Sequence, residues 1–587
     1  MVYILGIHRS HNSSVCLMLD GEIVSSVQQE RFDKIKNSGA FPKDAIDWTL
    51  KSSNITAEQI DAVAIGGLII LPSNVDLTPG VATPGKSSIP ISTKLWREID
   101  FKHPNLRPFF YPMVMQKREK LGEKGREEVI QTLKNLYNIP KEKIHFVEHH
   151  VCHAYTAYYG LRQNQKNDNN SLVLTLDGEG DKYCASVNDT KNNEINRIAS
   201  TPWHASLGYI YSQTTTFLGM KALEHEYKVM GLAPYAKNYF LKTYEKLYKH
   251  VIDVDGNSLE FKSIFPTNRF IVHLKENAFC ERFDNVAAAV QYLTEDLVTK
   301  WTIAAIKKTD CSDVYLGGGV FMNVKLNLKL YELDSVENIH PFPGCGDESN
   351  PFGAAYYVYI NHFAKPSSSV KRIKNLYLGP EYSNDYIEDL IKKRDLKSKY
   401  KVEFHKDMEG EIASLLAKGK VVARVAGKSE WGPRSLGNRA IIGNPSILET
   451  FYKVNDQIKM RDFWMPFAPS ILKERENDYI ENPKGVEAPY MILAFNSTKL
   501  AHKDLRAAIH QADKTCRPQI LEKDWNENYY KIIKQFENET GIGGVMNTSF
   551  NLHGEPMVCS PEDAIHTFED SGLEYLAMEN WLVSKNI

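Results

Sequence analysis

The chain has 587 residues, 42% hydrophobic and 25% charged, an ordinary globular composition that can bury more than one core. Its 71 Lys and Arg against 73 Asp and Glu leave a formal charge of −2, which excludes a global electrostatic attraction to nucleic acid or to an anionic membrane. The eight cysteines form no Cys-x-x-Cys pair, the start MVYILGIHRS reads as a strand, and no apolar run reaches the about 18 residues of a membrane span, so a cytoplasmic protein is expected.

Taken in order, Val2–Ile7 is a short apolar run, and Val15–Leu19 and Ile23–Val27 flank Asp20-Gly21, a two-residue hairpin signal. The chain therefore opens as an antiparallel meander. Ala45–Ser52 and Ala57–Ala62 read as helix, leading to a strand at Ala62–Gly66. From Leu68 to Pro140 the pattern changes: LTPGVATPGKSSIP is irregular and a helix is expected from about Glu123 to Tyr137, so this stretch reads as an insertion able to shape a pocket.

In EHHVCHAY, His149 and His153 stand four residues apart; on a helix both imidazoles leave one face and can hold a divalent ion. The strand Leu172–Leu176 then delivers Asp177 in LTLDGEGD, Tyr183–Val187 returns from it, and Asp347 in PFPGCGDESNPFGAA adds a second acid. The succession strand, Asp-Gly turn, strand thus occurs twice, at Ile4–Val27 and Leu172–Val187, as in a fold of two related lobes. Glu224, His225, Glu226 and Lys228, interleaved with Gly219, Met230, Gly231 and Pro234, read as a loop lining a site. A long helix is expected at Val286–Lys307. The strand Val314–Leu316 then runs into Gly317-Gly318-Gly319 and VFMN, where backbone amides can approach a nucleotide, with Gly318 and Asn323 as candidate contacts.

The polar, serine-rich stretch His362–Lys374 is read as a boundary between domains 1–365 and 376–587. Beyond it come LYLGPEYSNDYIEDLIKK, a helix at Met408–Lys418 and a strand at Val421–Ala426. GKSEWGPRSLGNRAIIGNP follows, in which Lys428, Arg434 and Arg439 lie among glycines. With Lys459, Arg461 and Arg517 downstream, they can converge on a phosphate. In GGVMNTSFNLHGEP a strand tip presents Asn547, able to read a planar polar substrate. Ser560-Pro561-Glu562-Asp563 is a helix start before Ala564–Phe568 and is given no chemistry.

The segments VYILGIHRSHNSSVCLMLDGEIVSSVQQERF, HHVCHA, EYKVMGLAPYA, GGGVFMN, WGPRSLGNRAI, MRDFWMPFAPSIL, RPQ and MNTSFNLHGEPMV, in that order, resemble the O-carbamoyltransferases of nodulation-factor and antibiotic tailoring. The resemblance covers nearly the whole chain. It implies an α/β protein with a two-lobed, actin-like N-terminal domain, similar to the universal threonylcarbamoyladenosine enzyme of the TsaD type, followed by an α+β YrdC-like domain. It further implies that carbamoyl phosphate and ATP (with Mg) meet in the second domain at Lys428, Arg434, Arg439, Lys459, Arg461, Arg517 and Asn547. A carbamoyl adenylate would form there, and its carbamoyl group would pass to a hydroxyl of a small molecule. The family's metal, usually iron, would sit on His149, His153, Asp177 and Asp347, a donor set that also suits other divalent ions. His11 matches the family's N-terminal His-Asp motif and is the expected general base; position 12 is Asn where the family has Asp, so its partner is neutral, and the glycine-rich stretch after Asp347 is altered to ESNPFGAA. A homodimer is implied by the same resemblance, with no nucleic-acid or membrane partner. Two other functions could use this residue set: threonylcarbamoyl transfer to tRNA, and nucleotide binding without turnover.

Overall fold

The computed structural model describes residues 1–73, 101–103, 107–162, 170–191 and 194–585; the stretch LTPGVATPGKSSIP of the expected insertion lies outside them. The chain divides into two compact units, one of Met1–Ile23, Gly39–Pro42 and Ser53–Arg372, the other of Val24–Ser38, Lys43–Ser52 and Ile373–Ile587. Among the described residues no helix is long and apolar enough to cross a membrane.

Two five-stranded sheets form the framework of the first unit, apart from residues 24–28 of one strand, which belong to the second. The strands of the first are β1 (Tyr3–His8), β2 (Ser14–Leu19), β3 (Glu22–Gln28), β4 (Ala62–Gly66) and β5 (Ile144–Val147), ordered β3-β2-β1-β4-β5. β2 runs antiparallel to β1 in the register Ile4↔Met18, whereas β4 is parallel to β1 and β5 to β4. At the hairpin after β2, Asp20 and Gly21 both adopt positive φ (46° and 84°), the backbone that a tight two-residue turn between twisted strands requires. The second sheet is built from β6 (Leu172–Gly180), β7 (Tyr183–Lys191) and β8 (Glu194–Pro202) as an antiparallel meander. A small ribbon, β9 (Ile252–Asp255) with β10 (Glu260–Ser263), precedes β11 (Asp313–Gly317) and β12 (Asn338–Pro341). Its order is β12-β11-β6-β7-β8, with β11 parallel to β6 and β12 to β11. The two sheets therefore share one topology, a three-strand meander extended by two parallel strands, which is the duplicated lobe of the actin-like fold.

The central strands read as continuous apolar runs because helices cover them. Helix His149–Leu161 is buried at every position except Val151 and packs on helix Asn350–Tyr357. That contact is backbone against backbone, since a Cβ at Gly353 would lie 1.8 Å from the carbonyl oxygen of Cys152. The long helix Phe283–Thr309 buries Trp301 completely, its indole donating to the Leu259 carbonyl at 2.8 Å. Two expectations are corrected. The helix placed at about Glu123 begins at Arg107 and runs to Tyr137, because Pro112 is accommodated inside it rather than ending it. Strand β6 does not stop at Asp177-Gly178 but continues to Gly180, with its register shifting between Leu176 and Gly180. That irregularity takes Asp177 out of the regular ladder.

An α+β architecture forms the second unit. Its eight-stranded mixed sheet uses β13 (Lys401–Phe404), β14 (Val422–Val425), β15 (Arg439–Gly443) and β16 (Ala468–Leu472), then, after the two-stranded β17 (Phe495–Asn496) and β18 (Thr515–Cys516), β19 (Gln519–Leu521), β20 (Gly544–Ser549), β21 (Tyr575–Met578) and β22 (Trp581–Ser584). The order is β13-β22-β21-β14-β15-β20-β16-β19. One face packs on a core that includes Ile441, Met546, Phe568 and Leu576. Helix Pro561–Glu569 starts with a capping box between Ser560 and Asp563.

The close approach at Gly353 makes a sharp prediction. Gly353→Ala forces the two helices apart and is expected to destabilise the first unit by about 3 kcal/mol or more, as overpacking against immobile backbone does; thermal denaturation followed by circular dichroism measures it. A melting temperature equal to wild type would contradict the packing described.

Candidate functional site

The helix that carries HHVCH is held at its first turn by two acids. Glu148 caps it, its carboxylate accepting from the amides of His150 at 3.1 Å and Val151 at 2.9 Å. Asp181 accepts from the His149 amide at 2.8 Å and, through its other oxygen, from the amides of Leu68 and Ile69 at 2.8 and 2.6 Å. So positioned, His149 and His153 point to one spot, while the intervening His150 turns into the core and meets the Thr175 hydroxyl at 2.8 Å. Burial holds the His150 pKa at about 3, so it stays neutral.

His149, His153, Asp177 and Asp347 present ligand atoms that all lie within 4.8 Å of one another. The two imidazole Nε2 atoms are 3.0 Å apart; His153 Nε2 lies 3.0 Å from an Asp177 oxygen and 3.6 Å from Asp347, and His149 Nε2 lies 3.3 Å from Asp347. Donors bonded at about 2.1 Å to one central ion are separated by about 3.0–3.4 Å; the shorter spacings lie in that range, and the His153–Asp347 and His149–Asp177 contacts, at 3.6 and 3.7 Å, lie slightly above it. The donor set of two imidazoles and two carboxylates fits a divalent ion. Burial opposes charge on all four groups, yet the mutual pairing wins: His149 and His153 are held above, and Asp177 and Asp347 below, their ordinary pKa values. Supporting contacts surround the cluster. The Gly319 amide donates to Asp177 at 3.2 Å, and His8, 3% exposed, lies 3.5 Å from the second oxygen of Asp347. The Asn350 amide lies 3.5 Å from His149 Nδ1, and with its carbonyl turned to that nitrogen it would leave Nε2 free to coordinate.

His11 lies in the field of this cluster: burial lowers its pKa against the opposing pull of Asp347 and Asp177. Asn12 does not orient it. Its φ of 63° turns the chain between β1 and β2, and its amide donates at 3.3 Å to Glu348. The Gly318 amide donates to the Cys345 carbonyl at 2.9 Å, and a Cβ at Gly318, φ 96°, would meet the Leu176 carbonyl oxygen at 2.4 Å, so close chain packing requires glycine here. Asn323 caps helix Val324–Tyr331 by accepting from Leu326 at 3.0 Å and exchanges two bonds with Gln291 at 2.8 and 3.1 Å, which commits its amide to structure. The expected 224–228 loop is instead the start of helix Glu226–Leu232: Glu224 contributes to the field at His11, and Glu226, in the first turn, accepts from the Leu223 amide at 2.7 Å.

In the second unit, GPRSLGNR is wrapped around a residue that sequence reasoning passed over. Glu430, 2% exposed, accepts from the amides of Leu436, Asn438 and Arg439 at 2.8, 2.7 and 3.1 Å. Arg439 itself is fully buried and donates to the carbonyls of Pro380, Ala426, Gly427, Asn438 and Cys559 at 2.9–3.1 Å. Its guanidinium is thus spent on the loop, which corrects its assignment to an anion. Lys428 is exposed.

Arg434, Lys459, Arg461 and Arg517 do come together. Lys459 is 1% exposed, and its ammonium donates to Ser549 Oγ at 3.2 Å and to the main-chain and side-chain oxygens of Asn551 at 3.0 and 2.6 Å, all neutral acceptors. Burial, with Arg461 and Lys36 nearby, pushes its pKa well down; burial, with Arg434 and Arg461 nearby, does the same to Arg517. Lys36, from the 24–38 segment, is a neighbour that the sequence did not announce. Asn547, 1% exposed, donates to the Ser435 carbonyl at 3.2 Å and the Ser470 hydroxyl at 3.1 Å, while its side-chain carbonyl is buried with no partner. A buried acceptor without a partner is costly unless a ligand answers it.

Two outcomes are expected. Purified protein takes up one divalent ion per chain, measured by inductively coupled plasma mass spectrometry, and His153→Ala reduces the affinity at least about 100-fold through loss of a buried ligand. The second concerns Glu226, whose carboxyl burial pushes up to about 7 from 4.5. A native pKa above the unfolded one means that ionisation opposes folding above about 7 and that the penalty vanishes below about 4.5. Glu226→Gln should therefore raise stability at about pH 8 by about 2–3 kcal/mol and have no effect near pH 4.5, as read by denaturant titration at each pH.

Residues 3–356 match the family described as carbamoyltransferase N-terminus, and residues 413–585 that described as carbamoyltransferase C-terminus. The chain is 31% identical over 596 residues to an uncharacterized protein of Methanocaldococcus jannaschii, covering 99% of each. It is 28% identical over 580 residues to nodulation protein NolNO of Sinorhizobium fredii, covering 98% of this chain and 79% of the relative. With the 3'-hydroxymethylcephem-O-carbamoyltransferase of Amycolatopsis lactamdurans it shares 27% identity over 300 residues, 50% of this chain and 53% of that one. Two domain matches in the expected order, spanning the residues that build both clusters, lead to one conclusion: the chain belongs to the carbamoyltransferase family.

Proposed function

We propose that this protein is an ATP-dependent O-carbamoyltransferase acting on a hydroxyl of a small molecule. In the second unit, read as a YrdC-like domain, carbamoyl phosphate loses phosphate to water and gives carbamate. A carbamate oxygen then attacks the α-phosphorus of ATP, pyrophosphate leaves, and carbamoyl adenylate remains. In the first unit the acceptor hydroxyl attacks the carbamoyl carbon, AMP leaves with the former phosphate–carbon bridging oxygen, and the hydroxyl proton is removed. Each step is one displacement, and the products are the carbamate ester, AMP, pyrophosphate and phosphate.

The observation that carries this reading is the buried cationic cluster in the second unit. Among the described residues Lys459 donates to neutral partners, with Arg461 nearby, and Arg517 lies near Arg434, an arrangement suited to the several negative charges of ATP and carbamoyl phosphate. The idle Asn547 carbonyl is an acceptor for the NH2 of a carbamoyl group. Support for the transfer half comes from the first unit. His149, His153, Asp177 and Asp347 would hold a divalent ion, iron in the first instance, which when bound orients an adenylate phosphate and polarises the carbonyl under attack. His11, whose burial favours the neutral imidazole, would accept the acceptor's proton.

Pyrophosphate release from ATP is expected only when carbamoyl phosphate is present. Arg517→Ala and Lys459→Ala should each lower it at least about 100-fold, the scale for losing one preorganised charge on a phosphoryl transition state. His149→Ala should instead abolish formation of the carbamoylated product. Pyrophosphate release that ignores carbamoyl phosphate would remove the adenylation scheme.

A further inference from the structure

Arg31, in the QQERF stretch of the 24–38 segment of the second unit, takes no part in the steps above and is 3% exposed. Its guanidinium donates in three directions: to Glu30 at 2.7 Å, to the Gln28 side-chain carbonyl at 2.9 Å and to the main-chain carbonyl of Gly432 at 2.9 Å. The first two acceptors are neighbours in sequence; the third lies 401 residues away, at the entry to the GPRSLGNR loop. Glu30 accepts in turn from the Asn37 amide at 2.8 Å, and the Ser26 amide donates to the Leu378 carbonyl at 3.1 Å, so the segment that aims Arg31 is itself anchored.

The loop is held differently along its length. Its later part is tied by several side chains: Glu430 accepts from the amides of Leu436, Asn438 and Arg439, the Leu436 carbonyl accepts from the Tyr377 hydroxyl at 2.8 Å, and the Gly437 carbonyl accepts from Arg424 at 2.7 Å. Ahead of Arg434 the chain has less to offer. Pro433 carries no N–H, so the Gly432 carbonyl is the sole hydrogen-bonding group of the peptide that joins the two residues. Gly432 has φ 94°, and no atom lies within 4 Å of where its Cβ would stand, so side-chain packing does not fix it either. A planar guanidinium can hold that carbonyl and stay bonded to Glu30 and Gln28 at once, which the compact ammonium of a lysine cannot do in the same fixed geometry.

We infer that Arg31 is a positioning residue for the cationic site of the second unit: by clamping the Gly432 carbonyl it sets the direction in which the chain delivers Arg434, two residues on, to that site. The inference rests on the reading of this cluster as the place of adenylation. Arg31 acts through Arg434 and touches no substrate. It also lines a cavity of about 340 Å³ with Phe32, Tyr382 and Cys559, and the exposed Lys34 and Asp44 on the same cavity connect it to the surface. Truncating Arg31 therefore opens a space that a free guanidinium ion can enter. Truncation also leaves Glu30 without its cation, which lowers stability whatever the role of the loop, so the test reads coupling to Arg434 rather than stability.

The test uses the full chain and measures carbamoyl-phosphate-dependent pyrophosphate release for wild type, Arg31→Ala, Arg31→Lys, Arg434→Ala and the double variant Arg31→Ala/Arg434→Ala. Arg31→Ala is expected to lower kcat about 10-fold and Arg434→Ala at least about 100-fold, the scale for one preorganised charge on a phosphoryl transition state. The double variant should match Arg434→Ala within about 2-fold, whereas independent effects would multiply. Guanidinium chloride below denaturing concentration should raise the rate of Arg31→Ala at least about 3-fold and leave wild type unchanged. If Arg31→Ala does not fold, Arg31→Lys takes its place in the cycle with the same non-additivity expected. Multiplying effects in the double variant, an Arg31→Ala rate that guanidinium does not raise, or a wild-type rate in both Arg31 variants overturns the inference. Absence of carbamoyl-phosphate-dependent pyrophosphate release in wild type overturns the proposed function instead. In that case isothermal titration with pyrophosphate decides the role of Arg31. Binding weakened in Arg31→Ala, and no weaker in the double variant than in Arg434→Ala, supports it; equal binding in Arg31→Ala and wild type, or none in wild type, refutes it.

Discussion

Two carboxylates and two imidazoles converge within 4.8 Å in the interior of the first unit, and the surrounding structure answers the electrostatic problem that they create. Bare acids this close repel, and their burial costs several kcal/mol unless opposite charge is supplied at hydrogen-bonding distance. The helix start at Glu148 and Asp181 fixes the imidazoles; the irregular end of β6 lifts Asp177 toward them; the Gly319 amide and His8 occupy further lone pairs of the acids. Backbone contact between the helices His149–Leu161 and Asn350–Tyr357 brings the Asp347 segment within reach, and only glycine at position 353 permits it. Framework and cluster are thus one constraint seen at two scales.

The second unit poses the opposite problem, an accumulation of positive charge. Arg439 is neutralised by geometry alone, its five carbonyl partners forming a dipolar cage that holds the glycine-rich loop, and Glu430 collects the amides of the same loop from within. With the loop braced in this way, Arg434 and Arg517 are held near each other and near Arg461, and Lys459 is buried among neutral oxygens. A carboxylate partner would quench such a cluster. The acceptors around Lys459 are neutral oxygens, and burial depresses its pKa.

Several side chains that look catalytic in isolation turn out to be structural for one reason. A backbone carbonyl or amide competes for every buried polar group, and it wins wherever the chain passes close by. Gly318, Asn323 and Arg439 are all claimed this way, by the Cys345 carbonyl, by the cap of helix Val324–Tyr331 and by the loop carbonyls. Asn547 is the instructive contrast: its NH2 is claimed twice while its carbonyl has no partner among the described residues.

Much of the architecture was legible in the chain itself. Apolar runs and the Asp20-Gly21 turn mark the meander, the doubled strand pattern marks the two related lobes, and the spacing of His149 and His153 puts both on one helical face, because helix and strand periods are local properties. The capping box at Ser560 could be read for the same reason. The commitment of each polar group was not legible, since it depends on partners far along the chain: Arg439 meets a carbonyl 120 residues away, and Glu179 meets Arg118 from a helix whose start the sequence misplaced. Nor could the sequence show that Lys36 stands near Lys459. Sequence by itself determined which elements form and which residue types lie at their ends; tertiary structure alone decided which charges are caged by loop carbonyls and which are buried close to one another, because that depends on long-range packing and burial rather than on local period.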